Sequence, residues 1–438
     1  MFEVREKPEM VERALLVRLY FDPREADEAE TLLNELEELV STLGIGIVEK
    51  VLAKSRSMHK KFLCGTGKAA EIVELAKAHD CDCIVFDNQL APSQQREWET
   101  ASDMCVIDRE EVILDIFAKR AATREARLQV ELARMQYALP RMARMWGHLD
   151  REGGGGSGGA AAARGMGEKQ IEVDRRMAHV RIDRAKRELE QVRKQRATQR
   201  HAREKLETPH AAIVGYTNAG KSTLLNRLSN SDVMAKDMLF ATLDTTTRKI
   251  ELPDGQPLLL TDTVGFVRNL PHRLVEAFKA TLEEAILADF CIHVLDASSP
   301  EIEQLHDTTL EVLEELGAGD KTIITFLNKI DQVTDPDRLG YLKRAYPDAL
   351  HGSALNDLGM VELLESCSRV LADRVRRLHY RIPQARADLI GLLHRDAKIL
   401  STDYEDNDIL VHAVVPAAIA GRLEEFAETE AGNPPPIS

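Results

Sequence analysis

The feature that most constrains this fold is an octapeptide between an apolar strand and a helix. Residues 215–222 read Gly-Tyr-Thr-Asn-Ala-Gly-Lys-Ser, preceded by the apolar residues 211–214 and followed by the helical residues 224–228. They match G-x-x-x-x-G-K-[ST] at every fixed position. Glycines let main-chain N–H groups turn toward a phosphate, and the helix N-terminus adds positive potential. We therefore predict a phosphate-binding loop in which Lys221 reaches the β- and γ-phosphates and Ser222 binds Mg²⁺.

Two further strands end in residues suited to a nucleotide. Residues 258–265 end in Asp-Thr-Val-Gly, where Asp262 can hold Mg²⁺ through a water and the Gly265 N–H can sense a γ-phosphate. Residues 323–331 end in Asn-Lys-Ile-Asp. The Asp331 carboxylate can accept hydrogen bonds from the N1–H and 2-amino groups of guanine, which adenine lacks, and such readout discriminates strongly. The order of these segments predicts GTP rather than ATP.

The loops around the Asn-Lys-Ile-Asp segment complete the predicted base site. The stem of Lys329 can lie against the base, and Asn328 can tie this loop to the phosphate loop. Further along, Ser353-Ala354-Leu355 can supply a main-chain N–H to guanine O6.

The segment 239–248, before the Asp-Thr-Val-Gly strand, carries four threonines: Thr242, Thr245, Thr246 and Thr247. A threonine here can bind Mg²⁺ only while the γ-phosphate is present, so the segment would order with GTP and relax after hydrolysis. The residues alone leave the choice among the four open.

The chain lacks a water-orienting residue after Gly265. Phe266 stands where small GTPases carry a glutamine that orients the attacking water. A phenyl ring cannot orient water by hydrogen bonding. We therefore expect slow intrinsic hydrolysis, with the missing group supplied by a partner or by the main chain.

Composition excludes several classes of protein. The chain has 438 residues, 58 Lys+Arg against 73 Asp+Glu, 44 % apolar and 30 % charged residues, which is typical of neither a disordered nor a membrane protein. We expect no membrane span or signal peptide, because no apolar run approaches about 18 residues and the N-terminus is charged. The six scattered cysteines predict reduced, mostly buried thiols in a cytoplasmic protein.

Hydrophobic patterning divides the chain into four predicted domains. Alternating strands and helices predict a small, partly parallel α/β domain over 1–108. Long helical patterns over 109–145 and 171–206 flank the glycine-rich residues 153–159 and predict an antiparallel hairpin with an exposed tip over 109–207. The predicted apolar stripes are Leu128, Leu132, Met135 and Leu139 on the first helix and Ile182, Ala185, Leu189 and Val192 on the second. A second α/β domain spans 208–372. A small α+β domain with a disordered end, including a helix over 389–400 and a strand over 408–415, spans 373–438.

The second hairpin helix is unusually basic. Between Arg164 and Lys205 there are 14 Lys+Arg and 7 Asp+Glu, in a chain whose net charge is −15. Arginine presents a planar fork suited to phosphate, and structured RNA is read mainly through backbone and shape. This predicts RNA contact; the alternative is a solvated helix face with intrahelical ion pairs. The arginines are Arg175, Arg176, Arg181, Arg184, Arg187, Arg193, Arg196 and Arg200.

These motifs together resemble the HflX family of GTPases over about residues 14–370. The resemblance rests on the order of the four nucleotide segments and on further stretches: Gly65–Lys68, Phe86–Leu90, Pro92–Gln95, Val106–Arg109, Leu114–Phe117, Leu128–Leu132, the glycine-rich tip, Asp174–Arg176, Phe240–Asp244 and Asp262–Val267. Read from the residues alone, Gly65–Lys68 is a turn into a helix at Ala69 rather than a second phosphate loop.

The resemblance implies an N-terminal α/β domain with a helical hairpin, followed by a Ras-like G domain with a mixed, mostly parallel sheet. It implies a cytoplasmic, monomeric GTPase without a membrane partner. This GTPase would bind GTP, GDP and the large ribosomal subunit and would act in ribosome dissociation, rescue or biogenesis. It implies that Thr242 is the Mg²⁺ ligand among the four threonines. It also implies that the catalytic glutamine is absent, in agreement with Phe266. At the tip the family's Pro and Thr are replaced by Met166 and Lys169, which affects its fine contacts with RNA.

The predicted site therefore has Lys221 and Thr242 as its only residues with a direct role in hydrolysis, and Ser222 and Thr242 as Mg²⁺ ligands. The predicted nucleotide-binding residues are Gly215, Tyr216, Thr217, Asn218, Ala219, Gly220, Lys221, Ser222, Phe240, Ala241, Thr242, Leu243, Asp244, Asp262, Thr263, Val264, Gly265, Asn328, Lys329, Ile330, Asp331, Ser353, Ala354 and Leu355.

Two alternatives belong to other functional classes. One is a GTP-dependent switch that recruits a protein or membrane effector without RNA. The other is GTP-driven tRNA modification, which would need a nucleophile or cofactor site outside the G domain. Cys64, Cys81 and Cys83, which are the only cysteines near one another in the sequence, are the candidates for that site.

Overall fold

The computed structural model describes residues 11–142, 173, 175–192, 194–195, 208–230, 240, 243, 245–268, 284–405 and 407–428. The chain forms two compact units. The first comprises Met1–His201, Lys236–Asp244 and Gly265–Thr281, and the second comprises Ala202–Ala235, Thr245–Val264 and Leu282–Ser438. The predicted hairpin tip, Arg193, Arg196, Arg200 and the C-terminal end lie outside the described residues.

The N-terminal sheet is wholly parallel, where the sequence predicted a partly parallel one. Its strand order is β2-β1-β3-β4. Helices α1, α2 and α3 connect the strands. Helix α2 begins at Thr66, directly after Gly65, and so three residues before the predicted start at Ala69. The elements are β1 Arg13–Tyr20, α1 Ala26–Thr42, β2 Gly46–Lys54, α2 Thr66–Ala78, β3 Cys83–Phe86, α3 Pro92–Ser102 and β4 Cys105–Asp108.

The predicted single helix over 109–145 is wrong, because the structure divides it in two. Helix α4 is Arg109–Arg120 and α5 is Arg124–Met142. Ala121 between them is extended, with ψ 104°. The Thr123 hydroxyl accepts a hydrogen bond from the Ala126 N–H at 3.1 Å, so the threonine caps α5. A residue that caps a new helix competes with continuation of the preceding one.

Helix α5 and the helical residues 175–192 form the two long helices of the predicted hairpin. On α5 the most buried stripe is Ala126, Val130, Ala133 and Tyr137. The predicted stripe Leu128, Leu132, Met135 and Leu139 is only half-buried. On 175–192 the predicted face is buried at Ile182, Ala185 and Leu189 and half-buried at Val192. Arg124 at the start of α5 pairs with Glu188 at 3.1 Å, as in an antiparallel arrangement.

The G-domain sheet has six strands in the order β10-β9-β8-β5-β7-β6, and only β6 and β7 pair antiparallel. This mostly parallel sheet is the predicted one. Its strands are β5 His210–Gly215, β6 Thr246–Glu251, β7 Pro257–Asp262, β8 Phe290–Asp296, β9 Thr322–Asn328 and β10 Leu350–His351. Its helices are Lys221–Leu228, Ile302–Glu315, Pro336–Ala345 and Met360–Val370.

The C-terminal residues form an antiparallel sheet in the order β12-β13-β11-β14, with two helices packed on it. The predicted helix over 389–400 ends at Asp396, because Lys398 already pairs with Val414 in the sheet. The elements are β11 Val375–Pro383, helix Ala387–Asp396, β12 Lys398–Glu405, β13 Asp408–Pro416, helix Ala417–Arg422 and β14 Ala427–Glu428.

Two findings bear on the excluded classes. None of the six cysteines forms a disulfide, and five of them are buried. Among the described residues, no helix is both long and apolar enough to cross a bilayer.

The cap of α5 gives a stability prediction. Thr123→Ala should lower the free energy of unfolding by about 1 kcal/mol, because it removes the hydroxyl that accepts from Ala126. Thr100→Ala is the matched control, since the Thr100 hydroxyl only bonds back to Arg96 within α3. Urea unfolding measures both, and equal effects would contradict the capping role.

Candidate nucleotide-binding site

The phosphate loop can be built only with glycine at both ends. Gly215 has φ +144°, and a Cβ there would lie 2.3 Å from the Val294 oxygen of β8. Gly220 has φ +94°, and a Cβ there would lie 2.2 Å from the Asn328 amide nitrogen. Both positions combine a backbone conformation that favours glycine with a close neighbour. The motif's two glycines therefore meet steric requirements of this fold.

Lys221 begins the helix after the loop, and its side chain is buried. Its Nζ donates to the Tyr216 carbonyl at 2.6 Å. Burial lowers the pKa of Lys221 to about 8, while the nearby Asp262 carboxylate acts in the opposite direction. A phosphate placed beside this ammonium would replace its lost hydration and raise its pKa again.

The side chains of Ser222 and Asp262 lie in contact. The Ser222 hydroxyl donates to Asp262 Oδ2 at 2.6 Å, and Asp262 ends β7 with only 1 % of its surface exposed. A hydroxyl and a carboxylate are hard oxygen ligands of the kind Mg²⁺ prefers, so this pair fits the ion. Thr242, the other predicted ligand, lies outside the described residues. Within the described part of the chain, no group of three or more His, Cys, Asp or Glu side chains offers another metal site.

Asn328, at the end of β9, joins three loops. Its Nδ2 donates to the Ala219 carbonyl at 2.8 Å, and its Oδ1 accepts from the Ala354 N–H at 2.9 Å. The predicted tie between Asn328 and the phosphate loop is therefore confirmed. The structure adds that the Ala354 N–H already donates to Asn328. This N–H is therefore not the one in 353–355 that is left to donate to guanine O6.

Lys329 adopts φ +60°, and its Nζ pairs with Asp296 Oδ2 at 2.8 Å. This ion pair fixes the ammonium end of the stem that was predicted to lie against the base. The carboxyl-bearing residue Asp331 is exposed in the short turn Ile330–Gln332. It is therefore accessible to a ligand.

Two supporting residues were missed by the sequence analysis. Asp296 carried a signal, because it ends an apolar strand as Asp262 does. Arg227 carried none. It lies on the helix after the phosphate loop and donates to the carbonyls of Ala354 at 3.2 Å and Leu355 at 2.7 Å. It thereby fixes the 353–355 loop by its main chain.

The predicted switch residues are described only in part. Phe240 and Leu243 are buried, whereas Ala241, Thr242 and Asp244 lie outside the described residues. Thr263 donates from its hydroxyl to the Ile213 carbonyl at 2.7 Å, which anchors the Asp-Thr-Val-Gly segment to β5.

Two residues after Val264 comes Phe266, which is 2 % exposed. A buried phenyl ring leaves water orientation to other groups.

Comparison with known proteins finds matches over nearly the whole chain. Three family models match in succession: GTP-binding GTPase N-terminal over 30–118, GTP-binding GTPase Middle Region over 120–203, and 50S ribosome-binding GTPase over 210–329. The GTPase HflX of Akkermansia muciniphila is 63% identical over 97% of this chain and 99% of its own length. The chain belongs to the HflX family of GTPases. The GTPase HflX of Escherichia coli is 40% identical over 85% of this chain and 86% of its own.

Membership of the HflX family makes the chain a P-loop enzyme that binds and hydrolyses GTP. A solved GTP-binding protein from Sulfolobus solfataricus, in complex with GDP, matches at a TM-score of 0.43 and 23% identity. The match covers 83% of this chain and 99% of that one.

The Asn328 bridge predicts a large effect from a small change. Asn328→Ala should weaken guanine nucleotide affinity about tenfold or more, because two main-chain groups lose a buried partner. Asn356→Ala is the matched control, since Asn356 is exposed in the neighbouring loop. Fluorescent-GDP titration measures both, and an unchanged affinity for Asn328→Ala would contradict the bridge.

The lowered pKa of Lys221 predicts a pH dependence. A lysine with a pKa of about 8 is mostly protonated at pH 7 and mostly neutral at pH 9, so GTP affinity should fall about tenfold over that interval. Lys221→Gln should bind weakly and without this slope. A parent affinity that stays flat from pH 7 to 9 would show that Lys221 does not titrate there.

Proposed function

We propose that this HflX-family GTPase acts on the large ribosomal subunit, in ribosome dissociation or rescue under stress or in ribosome biogenesis. One observation carries the proposal: an amphipathic helix with a basic exposed face. Arg175, Arg176, Arg181, Arg184 and Arg187 are exposed on residues 175–192.

The charges on this helix do not cancel. Residues 175–192 carry six Lys or Arg and three Asp or Glu. Glu188 pairs with Arg184 on its own helix and with Arg124 on α5. A remaining positive excess on an exposed helix favours a polyanion such as ribosomal RNA.

The roles we propose at the nucleotide follow from the contacts above. Lys221 binds the β- and γ-phosphates, and Ser222 and Thr242 would hold Mg²⁺, which when bound would neutralise phosphate charge. Asp331 reads the N1–H and 2-amino groups of guanine. Because the Ser353 N–H donates to the Leu358 carbonyl and the Ala354 N–H to Asn328, we assign the O6 contact to the Leu355 N–H.

A cytoplasmic location follows from the proposed ribosomal partner. It agrees with six cysteines that form no disulfide.

Guanine readout is tested at Asp331. Asp331→Asn should weaken GTP binding about a hundredfold or more and improve xanthosine triphosphate binding, because the amide reverses one hydrogen-bond requirement. Asp335→Asn, four residues on at the cap of the helix Pro336–Ala345, should leave both affinities unchanged. Unaltered GTP affinity in Asp331→Asn would remove the assignment.

Ribosome association is tested by cosedimentation with purified large subunits. We expect binding that is stronger with a nonhydrolysable GTP analogue than with GDP and that weakens as salt rises. Arg175→Glu with Arg176→Glu should reduce the bound fraction severalfold. The matched exposed pair on β11, Arg376→Glu with Arg377→Glu, should not. An equal loss of ribosome binding in both double variants would contradict the role of the basic helix. An absence of binding in every nucleotide state would favour a protein or membrane effector instead.

A further inference from the structure

Two segments of nucleotide-sensing sequence belong to the N-terminal compact unit. Lys236–Asp244 contains the predicted Mg²⁺ ligand Thr242, and Gly265–Thr281 begins at the last residue of Asp-Thr-Val-Gly. Each segment has a described residue in contact with helix α4. Both contacts lie within this one unit.

Arg109, the first residue of α4, makes the first contact. Its Nη2 donates to the Arg268 carbonyl at 3.2 Å, three residues beyond Gly265. On its other sides the guanidinium pairs with Asp87 at 2.6 Å and Glu35 at 2.9 Å.

Two carboxylates and near-complete burial hold this guanidinium in one orientation, since a planar fork with charged partners has little freedom. The start of α4 is fixed as well, because the Asp108 side chain accepts from the Glu111 N–H at 3.1 Å. The hydrogen bond to Arg268 therefore comes from a rigid donor.

Phe117, near the end of α4, makes the second contact. Its ring meets the Phe240 ring edge to face at a centroid distance of 4.6 Å, and both side chains are buried. Phe240 has φ +52°, a conformation that residues with a side chain adopt reluctantly. Packing must therefore hold it there, two residues before Thr242.

We propose that Arg109 is a positioning residue for GTP hydrolysis, acting through the Arg268 main chain, with Phe117 supporting the other segment through Phe240. The proposal rests on GTP hydrolysis alone and not on the ribosomal role. Phe266 lies two residues before Arg268 and cannot orient water. The path of the main chain then matters more for hydrolysis than it does where a glutamine side chain reaches the water.

The structure supplies a matched control in Arg18. Its Nη1 pairs with Asp87 Oδ2 at 2.6 Å, so Arg18 and Arg109 share one buried carboxylate, but it is Arg109 that donates to the Arg268 carbonyl. Arg18→Gln therefore disturbs the same charge cluster and leaves the Arg109–Arg268 hydrogen bond in place.

The experiment compares Arg109→Gln and Arg18→Gln in the full chain. Single-turnover GTP hydrolysis gives the rate, fluorescent-GDP titration gives the affinity, and thermal unfolding gives the stability. We expect Arg109→Gln to slow hydrolysis about tenfold with GDP affinity within about twofold of the parent. Arg18→Gln should lose comparable stability and hydrolyse GTP at the parent rate. Hydrolysis in Arg109→Gln at or above the parent rate, or equal slowing in both variants, would overturn the proposal.

A second pair keeps the test decisive if Arg109→Gln does not fold. Phe117→Leu fills most of the same core volume but loses the edge-to-face contact with Phe240, so we expect hydrolysis to slow severalfold at unchanged GDP affinity. Phe62→Leu is its control, because Phe62 makes a comparable edge contact with Trp98 at 5.2 Å. Equal rates in these two variants would overturn the proposal.

Discussion

The nucleotide site depends on the two hydrogen bonds of one buried amide. Asn328 donates to the phosphate loop at Ala219 and accepts from Ala354. Without these two bonds, the loops at 219, 328 and 354 would lose the contact that holds them together. Because both partners are main-chain groups, the amide fixes backbone, and the fixed backbone in turn places Lys221 and Asp331. Arg227 adds a second restraint on the same loop through the carbonyls of Ala354 and Leu355.

Much of this site was predictable from sequence because the required chemistry is local. Gly220, Lys221 and Ser222 are adjacent, and Asp262 and Asn328 each end an apolar strand, so pattern and spacing identify them. The break at Thr123 was missed because helical periodicity continues across it, while the cap is a single hydroxyl. The contact of Arg109 with Arg268 joins residues 159 positions apart, and no local pattern encodes it.

The N-terminal unit contains a buried charge cluster next to its parallel sheet. Asp87 follows β3, has no exposed side-chain surface, and binds Arg18 and Arg109 together. A buried carboxylate is unfavourable unless it is paired. Asp87 is paired with two arginines, and one of these, Arg109, also pairs with Glu35. Asp87 lies in Phe86–Leu90, one of the stretches that resemble the family. The structure shows that its Asp87 organises the residues from which α4 starts.

The close approach of Gly220 to Asn328 also limits how relatives of this chain can diverge. An alanine at 220 would push the amide out of reach of Ala219, and a smaller residue at 328 would make room for that methyl group only by giving up one bond or both. Neither position can therefore drift by itself. Among descendants of this sequence, both sites should therefore stay unchanged, although they lie 108 positions apart.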